Sequence, residues 1–152
     1  MCNKLYLLLP LLALLSGCFS DNNAELNDLY NDGDSHSDSL LEGAEHIEFL
    51  YKQQRGGVQV SSIGRIAKVL SNQHTPYAAQ VILIRLRSGR KLLIKHNIEK
   101  AQPLPQPVVG ETLTFSGIYS WNSKGGMIQS TYQQVDKPEL SGWLKYQDIT
   151  YQ

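Results

Sequence analysis

Arg85, Arg87, Arg90, Lys91 and Lys95 crowd into one short stretch of alternating apolar and polar residues. A period of two marks a strand, and it puts Arg85 and Arg87 on the face of Leu83 and Lys95 on the face of Leu93. Cations fixed on neighbouring strands can neutralise phosphates or other anionic groups without reacting with them. Tyr77, Trp121, Tyr132, Trp143 and Tyr146 supply aromatic rings for such a track, and stacking beside cations is how single strands are held without sequence reading. His74, in the polar stretch 71–79, is placed to approach a ligand. The residues expected to meet an anionic ligand are therefore Arg85, Arg87, Lys91, Lys95, His74, Trp121 and Tyr132. A solvated outer face over buried aromatics is the alternative, because Tyr119 and Trp121 alternate with apolar residues.

Chemistry beyond binding finds little support. The histidines are His36, His46, His74 and His96, and none has a second metal ligand at a recognisable spacing. His96 shares its parity with Ile94 and Ile98, which suits a hydrogen-bonded core residue. Glu99, Glu111, Asp136, Glu139 and Asp148 form no recognisable acid–base pair, and no metalloprotease, nucleophile-elbow or phosphate-loop pattern occurs. The expectation is a non-enzyme with no metal and no cofactor.

The chain of 152 residues, 41% hydrophobic, is one domain's worth and too apolar to be wholly disordered. It opens with Lys4 and an apolar run from Leu5 to Leu15, too short to span a bilayer and suited to a secretory signal. Leu15-Ser16-Gly17-Cys18 resembles a bacterial lipobox, which implies cleavage after residue 17 and lipid on Cys18. Phe19 stands where a retention signal prefers Asp, so in a Gram-negative cell the expected site is the outer membrane, facing the periplasm. Cys2 would leave with the signal, and the mature chain would hold no disulfide.

Charge is divided along the sequence. Nine acids and no Lys or Arg lie between Asp21 and Glu48, while ten bases and one acid lie between Tyr51 and Lys100. This reads as an acidic flexible tether, 18–39, beside a basic body, 40–152. The tether could compete with an anionic ligand for that body.

Residues 39–54 have helical spacing: Leu40, Leu41, Ala44, Ile47, Leu50 and Tyr51 form one stripe. Ser39-x-x-Glu42 has the form of a capping box, and Gly56-Gly57 reads as the stop. From Val58 the period becomes two, with strands expected at 58–70, 80–88, 91–98, 112–121, 127–134 and 142–151. Gly64 suits a bulge or bend, Ser88-Gly89 a tight hairpin, and Pro103, Pro105 and Pro107 a stiff connection. A long bent strand, a hairpin, a connection and a second hairpin resemble the OB-fold. The expected fold is a mainly β, five- or six-stranded antiparallel OB-like barrel after one short amphipathic helix. A proline-rich stretch replaces the helix such barrels often carry between strands three and four, and an extra strand or hairpin follows at the C-terminus.

Residues 58–152 resemble the bacterial domain-of-unknown-function 3465 family. The match runs through Leu92-Leu93-Ile94-Lys95-His96-Asn97-Ile98, Val109-Gly110-Glu111, Trp121-Asn122-x-Lys124-Gly125-Gly126 and Gly142-Trp143-Leu144-Lys145. The resemblance implies the fold and brings no activity. It also exposes a departure: a His-Trp-Thr-His run of the family is here Gln129, Ser130, Thr131 and Tyr132, and an Arg-His pair is Ala78 and Ala79.

Three functions follow as expectations. The first is a lipid-anchored module that binds an anionic ligand: a nucleic-acid strand, a glycan or a lipid head group. The second is a structural or assembly lipoprotein that binds an envelope protein. The third is a degenerate metal-dependent hydrolase.

Overall fold

The structure is a computed structural model and describes residues 35–152. The expected signal, Cys18 and most of the acidic tether lie outside the described residues. Among the described residues one helix, α1 (Ser35–Lys52), precedes seven strands. These are β1 (Val58–Val69), β2 (Ala79–Leu86), β3 (Lys91–Asn97), β4 (Thr112–Ser120), β5 (Met127–Gln129), β6 (Trp143–Tyr146) and β7 (Ile149–Tyr151).

α1 begins four residues before the expected Ser39, within the stretch read as tether. Ser39 therefore sits in the second turn rather than at the N-cap. Asp38 lies in the first turn, where a carboxylate suits the positive end of the helix dipole. Leu40, Ala44, Ile47 and Leu50 are buried as the expected stripe. The helix ends at Lys52, and Gln54, with φ 52°, supplies the left-handed turn expected of Gly56-Gly57. The Arg55 amide then bonds back to the Leu50 carbonyl at 3.0 Å. At Gly43 the helix comes so close to β1 that a Cβ would lie 1.8 Å from the Ser61 carbonyl oxygen.

The strands close in the order β1-β2-β3-β5-β4 and back to β1, with β6 and β7 continuing from β4. This is the closed five-stranded OB-like barrel, with two extra strands. One contact departs from the antiparallel expectation: β5 is inserted between β3 and β4 and runs parallel to β3. The tight turn from β4 dictates that direction, because β5 must run antiparallel to β4. β5 is also shorter than expected, since the chain turns at Ser130 with φ 56°. The expected strand 142–151 is a hairpin, turned by Gln147 and Asp148, both at positive φ.

The bulge falls at Ala67, not Gly64, because the β1–β2 register shifts between Ile66 and Lys68. Gly64 is instead where β1 pairs on both edges, with Leu86 and with Leu113. The bulge has a consequence for the surface. It sets Lys68 opposite Leu83 rather than Ile82, which turns the lysine from core parity to outer parity.

Ile66, Ile82, Ile84, Leu92, Ile94, Leu113, Phe115, Tyr119 and Ile128 fill the barrel. Ile47 and Leu50 of α1 join this core from one side. The connection from β3 to β4 adds Leu104, whose backbone is held at both ends by the buried Gln80 amide at 2.9 and 3.0 Å. An ordered proline-rich segment thus contributes to the core where such barrels often use a helix.

Candidate functional site

Alternation along β2 and β3 sends Ile82, Ile84, Leu92 and Ile94 inward and leaves Arg85, Lys91 and Lys95 outside. Strand pairing then aligns them. Arg65 on β1 is opposite Arg85 on β2, and Arg85 is opposite Lys91 on β3. Three cations therefore form a row across three adjacent strands. Like charges directly opposite one another are unfavourable in a sheet, so such a row is a place where an anion would relieve repulsion. Arg65 donates to the Gly110 carbonyl at 3.0 Å, which fixes its stem and leaves further N–H groups. Lys95 lies four residues along β3 from Lys91, about 13 Å at the rise of an extended strand. Between them Leu93 faces Leu83 and Met127, half-buried.

Lys95 ends beneath an aromatic group. Its Nζ is 5.2 Å from the centre of the Tyr77 ring. Beside it, Lys100 Nζ is 4.8 Å from the Tyr132 ring centre and 3.4 Å from its hydroxyl. Burial, and then the nearby Tyr132, push the Tyr77 phenol up, so it remains a donor. Two ties hold the loop carrying Tyr77: the Ile98 amide bonds the Ala78 carbonyl, and the Ala78 amide bonds Glu99 Oε1 at 2.9 Å.

Beneath this cluster lies His96, fully buried. Its Nε2 is 2.8 Å from the Gln102 carbonyl and its Nδ1 is 2.8 Å from Thr131 Oγ1. A carbonyl only accepts, so Nε2 carries the proton and Nδ1 accepts from the threonine hydroxyl. Burial holds the imidazole pKa below its ordinary value, and the ring stays neutral. Thr131, in the Gln129-Ser130-Thr131-Tyr132 stretch, is thus the core partner of a core histidine. Among the described residues no three of His, Cys, Asp and Glu gather as metal ligands.

The other expected contacts separate. Trp121 does not join the face. β4 ends at Ser120, and the indole Nε1 donates to the Tyr51 carbonyl at 3.1 Å, which ties α1 to the β4–β5 loop. Arg87 lies beyond the end of β2 and shares a cleft of about 390 Å³ with Leu41, Glu45 and Glu48 of α1. Arg90 is a structural cation. It grips Glu48 through two bonds of 2.6 and 2.5 Å and stacks 3.6 Å from the centre of the Tyr51 ring. That bidentate pair, with Ser88 also donating to Glu48, holds the Glu48 carboxyl below the usual range. His74 is exposed in the β1–β2 loop. Tyr146 is buried and donates to Glu111. Among the described residues the ion pairs are Arg90–Glu48 and Lys145–Asp148, and neither uses Arg65, Arg85, Lys91, Lys95 or Lys100. Arg65 and Lys100 were missed from sequence. Both have the right charge, but Arg65 enters the row only through its pairing with Arg85, and Lys100 only through Tyr132.

The Trp121-Asn122-x-Lys124-Gly125-Gly126 run is scaffold. Asn122 Oδ1 accepts from the Lys124 and Gly126 amides at 2.9 and 3.2 Å. Gly126 has φ 105°, and a Cβ there would lie 2.3 Å from the Tyr119 ring.

These features define a closed OB-like barrel with a cationic outer face on β1, β2 and β3 and a lysine–tyrosine cluster at the end of β3. The chain belongs to the DUF3465 family, proteins of unknown function, whose model matches residues 22–152. No curated protein and no solved structure matches the chain.

Proposed function

We propose that this protein is a lipid-anchored envelope module that holds an extended anionic ligand, single-stranded nucleic acid before glycan or lipid head group, and does no chemistry on it. The observation that carries the reading is the Arg65–Arg85–Lys91 row, continued along β3 to Lys95, with no carboxylate among the described residues in an ion pair with it. Oligonucleotides and oligosaccharides commonly bind OB barrels across strands two and three. The lipobox at Cys18 supports an anchor in the outer membrane, facing the periplasm. Cys18→Ala should move the protein from the membrane to the soluble fraction, and unchanged fractionation would remove the anchor.

Fluorescence anisotropy of labelled single-stranded DNA with the full chain in detergent tests the ligand. Binding that weakens steeply with salt and is impaired by Arg85→Ala supports the reading. Absence of binding at low salt removes nucleic acid as the ligand.

A second reading, an assembly lipoprotein docked on an envelope protein, draws on a different surface. Val108, Val109 and Ile149 are 50%, 61% and 56% exposed. Val108 and Ile149 both adjoin Tyr146. A salt-insensitive crosslink to an envelope protein, lost in Ile149→Lys, would favour it.

A further inference from the structure

The row and the cluster differ in the anion they suit. Each strand of the row presents a single cation, which suits the one charge that each internal phosphodiester carries. At the end of β3 lie two lysine–tyrosine pairs, Lys95 over Tyr77 and Lys100 over Tyr132, and Tyr132 is near enough to Tyr77 to help push its phenol up. All four offer N–H or O–H donors, and neither ion pair among the described residues consumes either lysine. A phosphomonoester carries nearly two charges at neutral pH and three acceptor oxygens, the anion that such a donor set matches.

The surroundings make the cluster rigid and terminal. Lys95 and Tyr132 are the chain neighbours of His96 and Thr131, whose buried hydrogen bond ties the end of β3 to the segment that follows β5. The Gly142 amide bonds the Tyr132 carbonyl at 2.9 Å. Beyond Lys100 and Tyr132 a cleft of about 350 Å³ is also lined by Asp136. A polyanion running on past Lys100 would bring its next phosphate toward that carboxylate.

Resting on the binding role proposed above, we infer that Tyr77, Lys95, Lys100 and Tyr132 form a seat for a phosphomonoester, so that the face receives the phosphorylated end of its ligand there.

The test uses the full chain in detergent and three labelled oligonucleotides of one sequence: 5′-phosphorylated, 3′-phosphorylated, and hydroxyl at both ends. One phosphorylated end should bind about tenfold tighter than the hydroxyl-ended strand, a step of one decade in Kd. Lys100→Ala and Tyr132→Phe should erase that gain, and Asp136→Asn should enlarge it. The phenylalanine variant removes one hydroxyl, so its effect does not depend on refolding. Equal affinity for all three strands, or a gain that survives both substitutions, overturns the seat and leaves the binding role standing. Vesicle flotation of the Cys18→Ala chain separates the other source of this chemistry. Suppose no oligonucleotide binds. Lys100-dependent capture by phosphatidic acid, a lipid monoester, over phosphatidylglycerol, a diester, would then sustain the seat and remove the nucleic-acid reading. No preference between the two lipids in that case would overturn both.

Discussion

Removing one arginine from the row should change the salt dependence of binding by a calculable amount. Arg65, Arg85, Lys91 and Lys95 are the cations that pairing and parity bring to the face. For single strands the logarithm of affinity falls with the logarithm of salt by about 0.7 for each neutralised phosphate. If each cation meets one phosphate, the slope is about −2.8, and affinity drops roughly 50-fold between about 50 and 200 mM salt. Arg85→Ala leaves three contacts, a slope of about −2.1 and a drop of roughly 18-fold over the same interval. Arg85 is exposed, so truncation opens no cavity and the fold should persist, which circular dichroism checks. Lys145 is the control: it is a cation of β6, paired with Asp148 and outside the row. The assay is anisotropy of a labelled single-stranded oligonucleotide at five or so salt concentrations. If Arg85→Ala keeps the parent slope, or Lys145→Ala lowers it equally, the attraction is diffuse and the row is not the contact surface.

Three further outcomes concern the frame that presents the face. Gly126→Ala combines a positive φ with a Cβ that would lie 2.3 Å from Tyr119, and should cost about 3 kcal/mol in urea unfolding; a loss under about 0.5 would contradict the packing. His96 is neutral when folded, so the unfolded chain binds the extra proton; stability should decline as pH falls below 6.5, and His96→Gln should flatten that decline in urea midpoints. Glu48 has its pKa lowered by Arg90, so its stabilisation is full above 4.5 and fades as pH falls through the lower folded value; Glu48→Gln should lose about 1.5–3 kcal/mol at pH 7 and narrow its gap to the parent in acid.

The outward turn of Arg85, Lys91 and Lys95 was legible because parity within one strand is local. What the sequence concealed depends on partners distant along the chain. Arg90 looks like any other cation of the stretch until α1 brings Glu48, 42 residues away, into its fork. Trp121 continues the alternation of β4 by one residue, yet the Tyr51 carbonyl captures its indole across 70 residues. Lys68 follows the parity of Ile66 on paper, and only the bulge at Ala67 turns it out. The helix start was missed for a simpler reason. Apolar periodicity marks the packed part of a helix, and Ser35-His36-Ser37 hold no apolar residue to extend the pattern.

The strongest family signature and the candidate ligand surface are different residues. Trp121 ties down the helix, Asn122 folds the β4–β5 loop, Gly126 lies against Tyr119, and Thr131 completes the hydrogen bonding of His96. Each of these satisfies a buried group or a close approach, which any barrel of this shape must do. Arg85 and Lys91 face each other across β2 and β3 and enter no ion pair among the described residues, so their mutual repulsion is a cost to the barrel, while Lys95 lies over the Tyr77 ring. Resemblance along the first set carries the architecture from one member of the family to another. Under the proposed binding role, ligand choice would reside in the second set, so two chains that share the Trp-Asn-x-Lys-Gly-Gly run need share no ligand unless their outer strands carry the same charges in the same register.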